Sequence, residues 1–367
     1  MVIPFMSFDK MHTELRSDFQ AAFNEVLDSN YFILGNQLSE FEKEYSKFNN
    51  TNFTIGVGNG LEALVLSLKT FNIGSGDEVI VPSNTFIATF LAVLQTGAKP
   101  IPVEPDEDSF NINPTNIEKA ITSNSKAIIP VHLYGQACEM DAIMEIANRH
   151  NLLVIEDNAQ SQGAKYNNRL TGEFGDTGCT SFYPGKNIGA LGDGGAVTTN
   201  STSTSSIVKE LRNYGSSEKY IHNSIGVNSR LDELQAAFLR KKLVRIPDWN
   251  IERNRIGKLY LKELDSCHEL TLPKTINKAT HVYHLFVIRT NKRDELQKYL
   301  SQKGITTLIH YPIPPHLQKG LTSLKFKKGD FPIAEKMAET CLSLPLYIGL
   351  SDNEVKYICN TIKKFFK

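Results

Sequence analysis

Short apolar or β-branched runs, each stopped by Gly, Pro or a polar turn, alternate with longer stretches of helical periodicity up to about residue 245. Phe53–Val57 leads into Leu61–Thr70, Glu78–Pro82 into Ala88–Thr96, and Ala127–His132 into Met140–His150. Pro100–Val103 precedes a segment with Pro114 where a helix would begin, and Leu152–Glu156 runs into a polar turn. Strands alternating with helices predict a mostly parallel sheet with helices on both faces. Ligands of such sheets gather beyond the carboxyl ends of the strands, so the residues following each run are those to read for chemistry.

After Arg245 the pattern changes. Pro247-Asp248-Trp249-Asn250 opens a long amphipathic helix through Leu264, and a strand (Tyr283–Arg289), a helix (Arg293–Gln302), a strand (Ile305–His310) and two terminal helices are predicted to follow. The first fifty residues read as helices that wrap the larger unit, with Asn36 or Ser39 capping Phe41–Phe48. The expected organisation is a large domain over residues 1–246 and a smaller α/β domain over 247–367.

Composition narrows the function classes. Forty Lys+Arg balance forty Asp+Glu, which argues against a polybasic nucleic-acid binder or an acidic tail protein. Hydrophobic residues at 41% and charged residues at 22% are those of an ordinary globular chain. The five cysteines form no C-x-x-C pair and are odd in number, so a reducing compartment fits better than a disulfide framework or a zinc site. The start lacks the pattern of a signal peptide, and no apolar run approaches a membrane span. A cytoplasmic location is expected, with neither nucleic acid nor membrane as partner and with no metal site.

Three features carry candidate chemistry. Lys186 lies between glycines in Thr180-Ser181-Phe182-Tyr183-Pro184-Gly185-Lys186-Asn187-Ile188-Gly189, ahead of Gly192-Asp193-Gly194-Gly195. By itself such a lysine is more often solvated than functional. Leu152–Ile155 runs into Glu156-Asp157-Asn158-Ala159-Gln160, where Asp157 is either a turn carboxylate or a ligand at the sheet edge. Gly56-Val57-Gly58-Asn59-Gly60-Leu61 is a strand-to-helix turn suited to an anionic phosphate, although it meets neither the dinucleotide nor the P-loop fingerprint. Taken together, the three describe one cofactor. Pyridoxal 5'-phosphate needs a lysine for a Schiff base, a carboxylate to keep its ring nitrogen protonated, and donors for its phosphate.

The chain also resembles the DegT-type sugar-nucleotide aminotransferases, pyridoxal-phosphate enzymes of the aspartate-aminotransferase fold (fold type I). The resemblance runs through Phe32-Ile33-Leu34-Gly35, Gly76-Asp77-Glu78-Val79-Ile80-Val81-Pro82, Asn84-Thr85-Phe86-Ile87-Ala88-Thr89 and Glu156–Gln160. It continues through the Lys186 motif, Gly226-Val227-Asn228-Ser229-Arg230-Leu231-Asp232 and Tyr311-Pro312-Ile313-Pro314-Pro315-His316-Leu317-Gln318. It implies a large domain with a mostly parallel seven-stranded sheet, a smaller C-terminal α/β domain, and a homodimer with shared active sites. Lys186 would be the Schiff-base lysine and the proton-shuttling base, and Asp157 the partner of the ring nitrogen. Gln160 would bond near the phenolic oxygen and Phe86 would stack on the ring. Asn59, Gly60, Leu61 and Ser181, with Asn228 from a second subunit, would hold the phosphate. Tyr183, Lys219, Arg230, His310, Tyr311 and His316 are the residues implied for the sugar and pyrophosphate.

Many relatives carry alanine where Asn158 stands here, and some carry histidine near Gln160. Relatives that dehydrate replace the lysine by histidine, a branch that Lys186 disfavours. The implied reaction is a two-half transamination with L-glutamate as donor and a keto sugar as acceptor. Lys186 must be neutral to act as base, so burial is expected to lower its pKa. Ser-Phe-Tyr-Pro-Gly-Lys-Asn-Ile-Gly resembles the subset acting at C3 of dTDP-linked 3-keto-6-deoxyhexoses, with products destined for a surface polysaccharide or secondary metabolite. C4 amination, a UDP-linked keto sugar, and a non-catalytic protein that binds cofactor or sugar nucleotide are the alternatives.

Overall fold

A computed structural model describes residues 2–367. Seven strands form its main sheet: β1 (Phe53–Val57), β2 (Glu78–Pro82), β3 (Lys99–Val103), β4 (Ser125–Ile128), β5 (Leu153–Asp157), β6 (Thr177–Ser181) and β7 (Gly195–Thr199). Their spatial order is β1-β7-β6-β5-β4-β2-β3, and β7 alone runs against the rest. The register sets Val57 and Ser181 both opposite Gly195, and Asp157 beside Cys179. The carboxyl ends of β1, β5 and β6 therefore meet the start of β7 on one edge of the sheet.

Among the described residues, thirteen α-helices flank this frame. They are α1 (Asp9–Glu14), α2 (Arg16–Ser29), α3 (Asn36–Phe48), α4 (Gly60–Thr70), α5 (Ile87–Gln95), α6 (Pro114–Ala120) and α7 (Met140–His150), then α8 (Thr202–Leu211), α9 (Glu233–Leu243), α10 (Ile246–Leu264), α11 (Arg293–Gln302), α12 (Pro332–Thr340) and α13 (Asp352–Phe366). Strand alternation decides which layer each side chain joins. Val79, Val81, Ala127 and Ile155 pack with Leu64, Leu68 and Phe90 of α4 and α5, whereas Ile80, Ile128 and Val154 pack with Ile117 and Ile143 of α6 and α7. A third cluster joins Phe41 and Tyr45 of α3 to Phe182, Ala196 and Leu239.

Between α8 and α9 a short hairpin, β8 (Ser216–Glu218) with β9 (Ile221–His222), stands exposed. In the last third, β10 (Phe286–Arg289) pairs antiparallel with β11 (Cys341–Leu344), and Ile256, Tyr260, Leu296, Leu300, Val355 and Ile358 close over them. The expected strand at Ile305–His310 is absent as such. Ile305 and Leu308 make only isolated bridges, to Ile3 and Ser343, and the run lies as an irregular flank of β11.

The expected cap of α3 is also corrected. Neither Asn36 nor Ser39 caps the helix. The carboxylate of Glu233, at the start of α9, accepts from the amides of Gly35, Gln37 and Leu38 at 2.8, 2.8 and 3.0 Å. All five cysteines are buried and unpaired. Among the described residues, no helix is long and apolar enough to cross a membrane, and no group of three or more His, Cys, Asp or Glu is placed to hold a metal ion.

Candidate active site

The turn after β1 forms a cradle. Asn59 caps α4, its Oδ1 accepting from Glu62 N at 2.9 Å and its carbonyl from Ala63 N at 3.1 Å. The amides of Gly60 and Leu61 lie in the first turn, where no helical acceptor exists, and they have no other protein acceptor among the described residues. Donors at a helix start, with the positive end of its dipole, suit an anion. The walls are close: a Cβ on Gly60 would lie 2.7 Å from Ser181 Cβ, and one on Gly195 would lie 2.4 Å from the carbonyl carbon of Asn59. Ser181 ends β6 facing this turn, and its Oγ accepts from Tyr183 N at 3.2 Å.

Asp157 ends β5 and is 7% exposed. Its Oδ1 accepts from Ala159 N at 3.1 Å and its Oδ2 from Thr89 Oγ1 at 3.2 Å. Burial raises its pKa; the Ala159 amide, the charge of Lys186, the Thr89 hydroxyl and His132 oppose that rise. Lys186 sits half-buried after a tight turn in which its own amide donates to Tyr183 O at 2.9 Å. Burial lowers the pKa of its amine to about 8, and only Asp157 pulls it back up. An amine with that pKa is about one-tenth neutral at pH 7, far more than an ordinary lysine.

Phe86 flanks the start of α5 and is 50% exposed, its ring centroid 5.3 Å from that of Tyr311. Gln160 holds the opposite side together: Oε1 accepts from Tyr134 N at 2.7 Å and Nε2 donates to Tyr311 OH at 3.2 Å. The Tyr134 hydroxyl donates to the His310 carbonyl. His310 itself sits 2.8 Å from Ser343 Oγ through Nδ1, and burial, then the charge of Lys186, lowers its pKa to about 4. Lys186, Asp157, Gln160, His310 and Tyr311 thus share one neighbourhood.

This set fits a phosphate-bearing pyridine. Two unpartnered amides and a serine face a turn that excludes even a methyl group, a buried carboxylate waits at the next strand end, and a partly neutral amine lies within its field.

The remaining expected residues have the following surroundings. Tyr183 is 59% exposed. Lys219 lies at the tip of the β8–β9 hairpin, its Nζ 5.2 Å above the Tyr220 ring. Asn228 is exposed and bridges Asn213 through its backbone. Arg230 donates from Nη1 to Asn213 Oδ1 at 3.1 Å, and its guanidinium stands 5.4 Å over Tyr214. His316 is 2% exposed, paired through Nε2 with Glu335 at 2.9 Å and packed edge-on against Phe331, while its Nδ1 has no partner among the described residues.

Several site residues escaped the sequence reading. Thr89 bonds Asp157, Ser229 Oγ accepts from Gly58 N at 3.0 Å, and buried Lys242 donates to Gly189 O at 2.6 Å. Thr89 follows Phe86 by one helical turn, a spacing that could have marked it; Lys242 left no signal, being one of three consecutive basic residues on α9.

Residues 13–363 match the DegT/DnrJ/EryC1/StrS aminotransferase family. The chain is 46% identical to the dTDP-3-amino-3,4,6-trideoxy-alpha-D-glucose transaminase of Streptomyces venezuelae, over 99% of this chain and 96% of that one. It is 46% identical to the dTDP-3-amino-3,6-dideoxy-alpha-D-galactopyranose transaminase of Aneurinibacillus thermoaerophilus, over 99% of each. Among solved structures, S. venezuelae DesV superposes with a TM-score of 0.97 at 44% identity, covering 99% of this chain and 98% of that one.

Proposed function

We propose, since the chain belongs to the DegT/DnrJ/EryC1/StrS aminotransferase family, that it moves the amino group of L-glutamate to C3 of a dTDP-3-keto-6-deoxyhexose. The products are a dTDP-3-amino-3,6-dideoxyhexose and 2-oxoglutarate. The chain is a pyridoxal-5'-phosphate-dependent sugar aminotransferase. The observation that carries the reading is the meeting of Lys186, Asp157 and the α4 cradle on one sheet edge, in a chain whose 46%-identical relatives act on 3-amino dTDP-sugars.

When bound, the cofactor supplies an electron sink for the carbon from which a proton is removed. The amides of Gly60 and Leu61, the Asn59 turn and the Ser181 hydroxyl hold its phosphate. Asp157 keeps a proton on the ring nitrogen, its own geometry set by Thr89 and Ala159. Phe86 would cover a ring face, and Gln160 would bond near the phenolic oxygen. Lys186 Nζ anchors the cofactor, then takes a proton from the donor's α-carbon and returns it; burial prepares that amine by lowering its pKa to about 8. Tyr183, Lys219, Arg230, His310, Tyr311 and His316 would serve as the sugar-nucleotide contacts. Residues 1–246 act as the cofactor-binding domain and 247–367 as its smaller companion. The working unit is a homodimer in which Asn228 reaches the phosphate of the partner's site, acting in the cytoplasm on a precursor of a surface polysaccharide or secondary metabolite.

The test is the visible absorption of the purified protein before and after L-glutamate. A yellow band that bleaches with the donor, and returns fastest with a dTDP-3-keto-6-deoxyhexose, is expected. A protein that takes up no pyridoxal phosphate, or whose colour returns only with a 4-keto or UDP-linked sugar, overturns the enzyme reading or the substrate reading respectively.

A further inference from the structure

The residue after Lys186 is 98% enclosed, yet it is an asparagine: Asn187 is 2% exposed. Its Nδ2 donates to Asn250 Oδ1 at 3.1 Å and to Val282 O at 3.2 Å, while its Oδ1 has no partner among the described residues. A buried amide left half-satisfied costs stability that a small apolar residue would not. Asn250, on the second turn of α10, passes the contact on. Its Nδ2 donates to Gln162 O at 2.9 Å. Gln162 is fully buried, and its Nε2 donates to Thr180 Oγ1 at 2.9 Å and to Ser181 O at 3.0 Å. The backbone at Gly163 comes so near that an added Cβ would lie 2.7 Å from Asn250 Nδ2, at a φ of +86°. Three side-chain amides therefore tie the loop carrying Lys186 to the strand end carrying Ser181 and to the turn that follows Asp157.

We propose that Asn250 is a positioning residue for Lys186, acting through Asn187 to fix the amine in register with Asp157 and the phosphate cradle. The inference rests on Lys186 being the amine that works in transamination. Asn250 touches neither substrate nor cofactor. Its effect is geometric: without it the Lys186 loop keeps Lys242 on Gly189 O and Asn187 on Val282 O, and loses the link that joins Asn187 to Gln162 and the turn after Asp157. A small misplacement of a reacting group costs rate out of proportion to the contact removed.

The experiment uses the holoenzyme with Asn250→Ala and Asn250→Asp. The aspartate keeps the shape and the acceptor for Asn187 but replaces the donor to Gln162, so it remains informative if the alanine variant folds poorly. Asn254→Ala is the control, because Asn254 lies one turn on and donates to Asn250 O and His281 O without reaching the Lys186 loop. Three readouts are taken: the pH midpoint of the visible absorption, the single-turnover rate with L-glutamate, and KM for the nucleotide sugar.

Both Asn250 variants should slow the half-reaction by roughly tenfold to a hundredfold, with KM for the sugar within about twofold. Their pH midpoint should move by about half a unit or more, because it reports the protonation of the nitrogen that Lys186 contributes. Asn254→Ala should lose stability while keeping the wild-type midpoint and rate. Asn187→Ala should match Asn250→Ala, and the double variant should add nothing to either. Wild-type midpoint and rate in both Asn250 variants, or an equal shift in Asn254→Ala, overturns the proposal. A wild-type protein whose absorption ignores glutamate overturns the role of Lys186 and this inference with it.

Discussion

Replacing Asp157 by asparagine should move rate and stability in opposite directions. The substitution keeps the shape: Oδ1 can still accept from Ala159 N, and the new NH2 meets the Thr89 hydroxyl, which can turn to accept because its 3.0 Å contact with Thr85 Oγ1 works with either as donor. What goes is the negative charge beneath the cofactor's ring nitrogen. Deleting one member of a buried charge pair costs about 3–5 kcal/mol, and each 1.36 kcal/mol is about tenfold in rate. The half-reaction with L-glutamate should therefore slow by roughly 10²–10⁴-fold, read by stopped-flow absorbance. Stability should respond the other way. Burial holds the Asp157 pKa above its ordinary value even against the Ala159 amide and Lys186. A carboxyl whose folded pKa is raised favours the fold below its unfolded pKa, and that contribution is lost as pH rises through the folded value. At neutral pH the ionised side chain is thus a cost, and the cofactor-free Asp157→Asn protein should melt above wild type, the gap closing below about pH 4. A variant that turns over within about threefold of wild type, or melts lower at pH 7, would refute the reasoning.

Other outcomes follow from the same geometry. Burial lowers the Lys242 pKa to about 8, so between about pH 8 and 10 the unfolded chain holds the extra proton and stability should rise with pH, by up to about 1.4 kcal/mol per unit. Urea titrations of wild type and Lys242→Met should diverge across that window; parallel curves would contradict the assignment. Gly195→Ala forces a methyl to within 2.4 Å of the Asn59 carbonyl carbon and should strip the cofactor on dialysis, whereas retention of the yellow band would show that the turn can yield. Subunits carrying Lys186→Ala, mixed with subunits carrying Asn228→Ala, should regain activity if Asn228 crosses to the partner. A mixture as inactive as its parents would place Asn228 in its own subunit's site.

Strands β1 to β5 were legible because they are short apolar runs punctuated by glycine and proline, a pattern tied to backbone geometry, whereas Gly195–Thr199 looked like part of a glycine-rich turn. Lys186 and Asp157 were legible for a related reason, since chemistry collects at strand ends. Cys341–Leu344 was not read as a strand: four apolar-leaning residues between two helices carry no periodicity that separates strand from buried helix. The Glu233 cap of α3 comes from 196 residues away and leaves no trace beside the helix it serves. The contact between His316 and Glu335 on α12 was equally invisible, because only packing decides which neighbour a histidine meets. The Asn187–Asn250–Gln162 chain likewise joins three segments whose sequences give no sign of one another.

The place of β1 also has a consequence for how the protein is made. This strand lies at the sheet edge and pairs only with β7, which lies about 140 residues downstream. At ribosomal speeds of about 5–20 residues per second, Ile55 and Val57 leave the exit tunnel on the order of 10 s before any partner strand exists. An apolar strand with an open edge is a template for the wrong neighbour, including the same strand on an adjacent nascent chain. The helix that follows, α4, can shield its face in the interval but cannot supply its missing ladder. Slowed translation between residues 60 and 195 should therefore cost soluble yield more than the same delay placed later, once β7 has also left the tunnel and one side of β1 is paired.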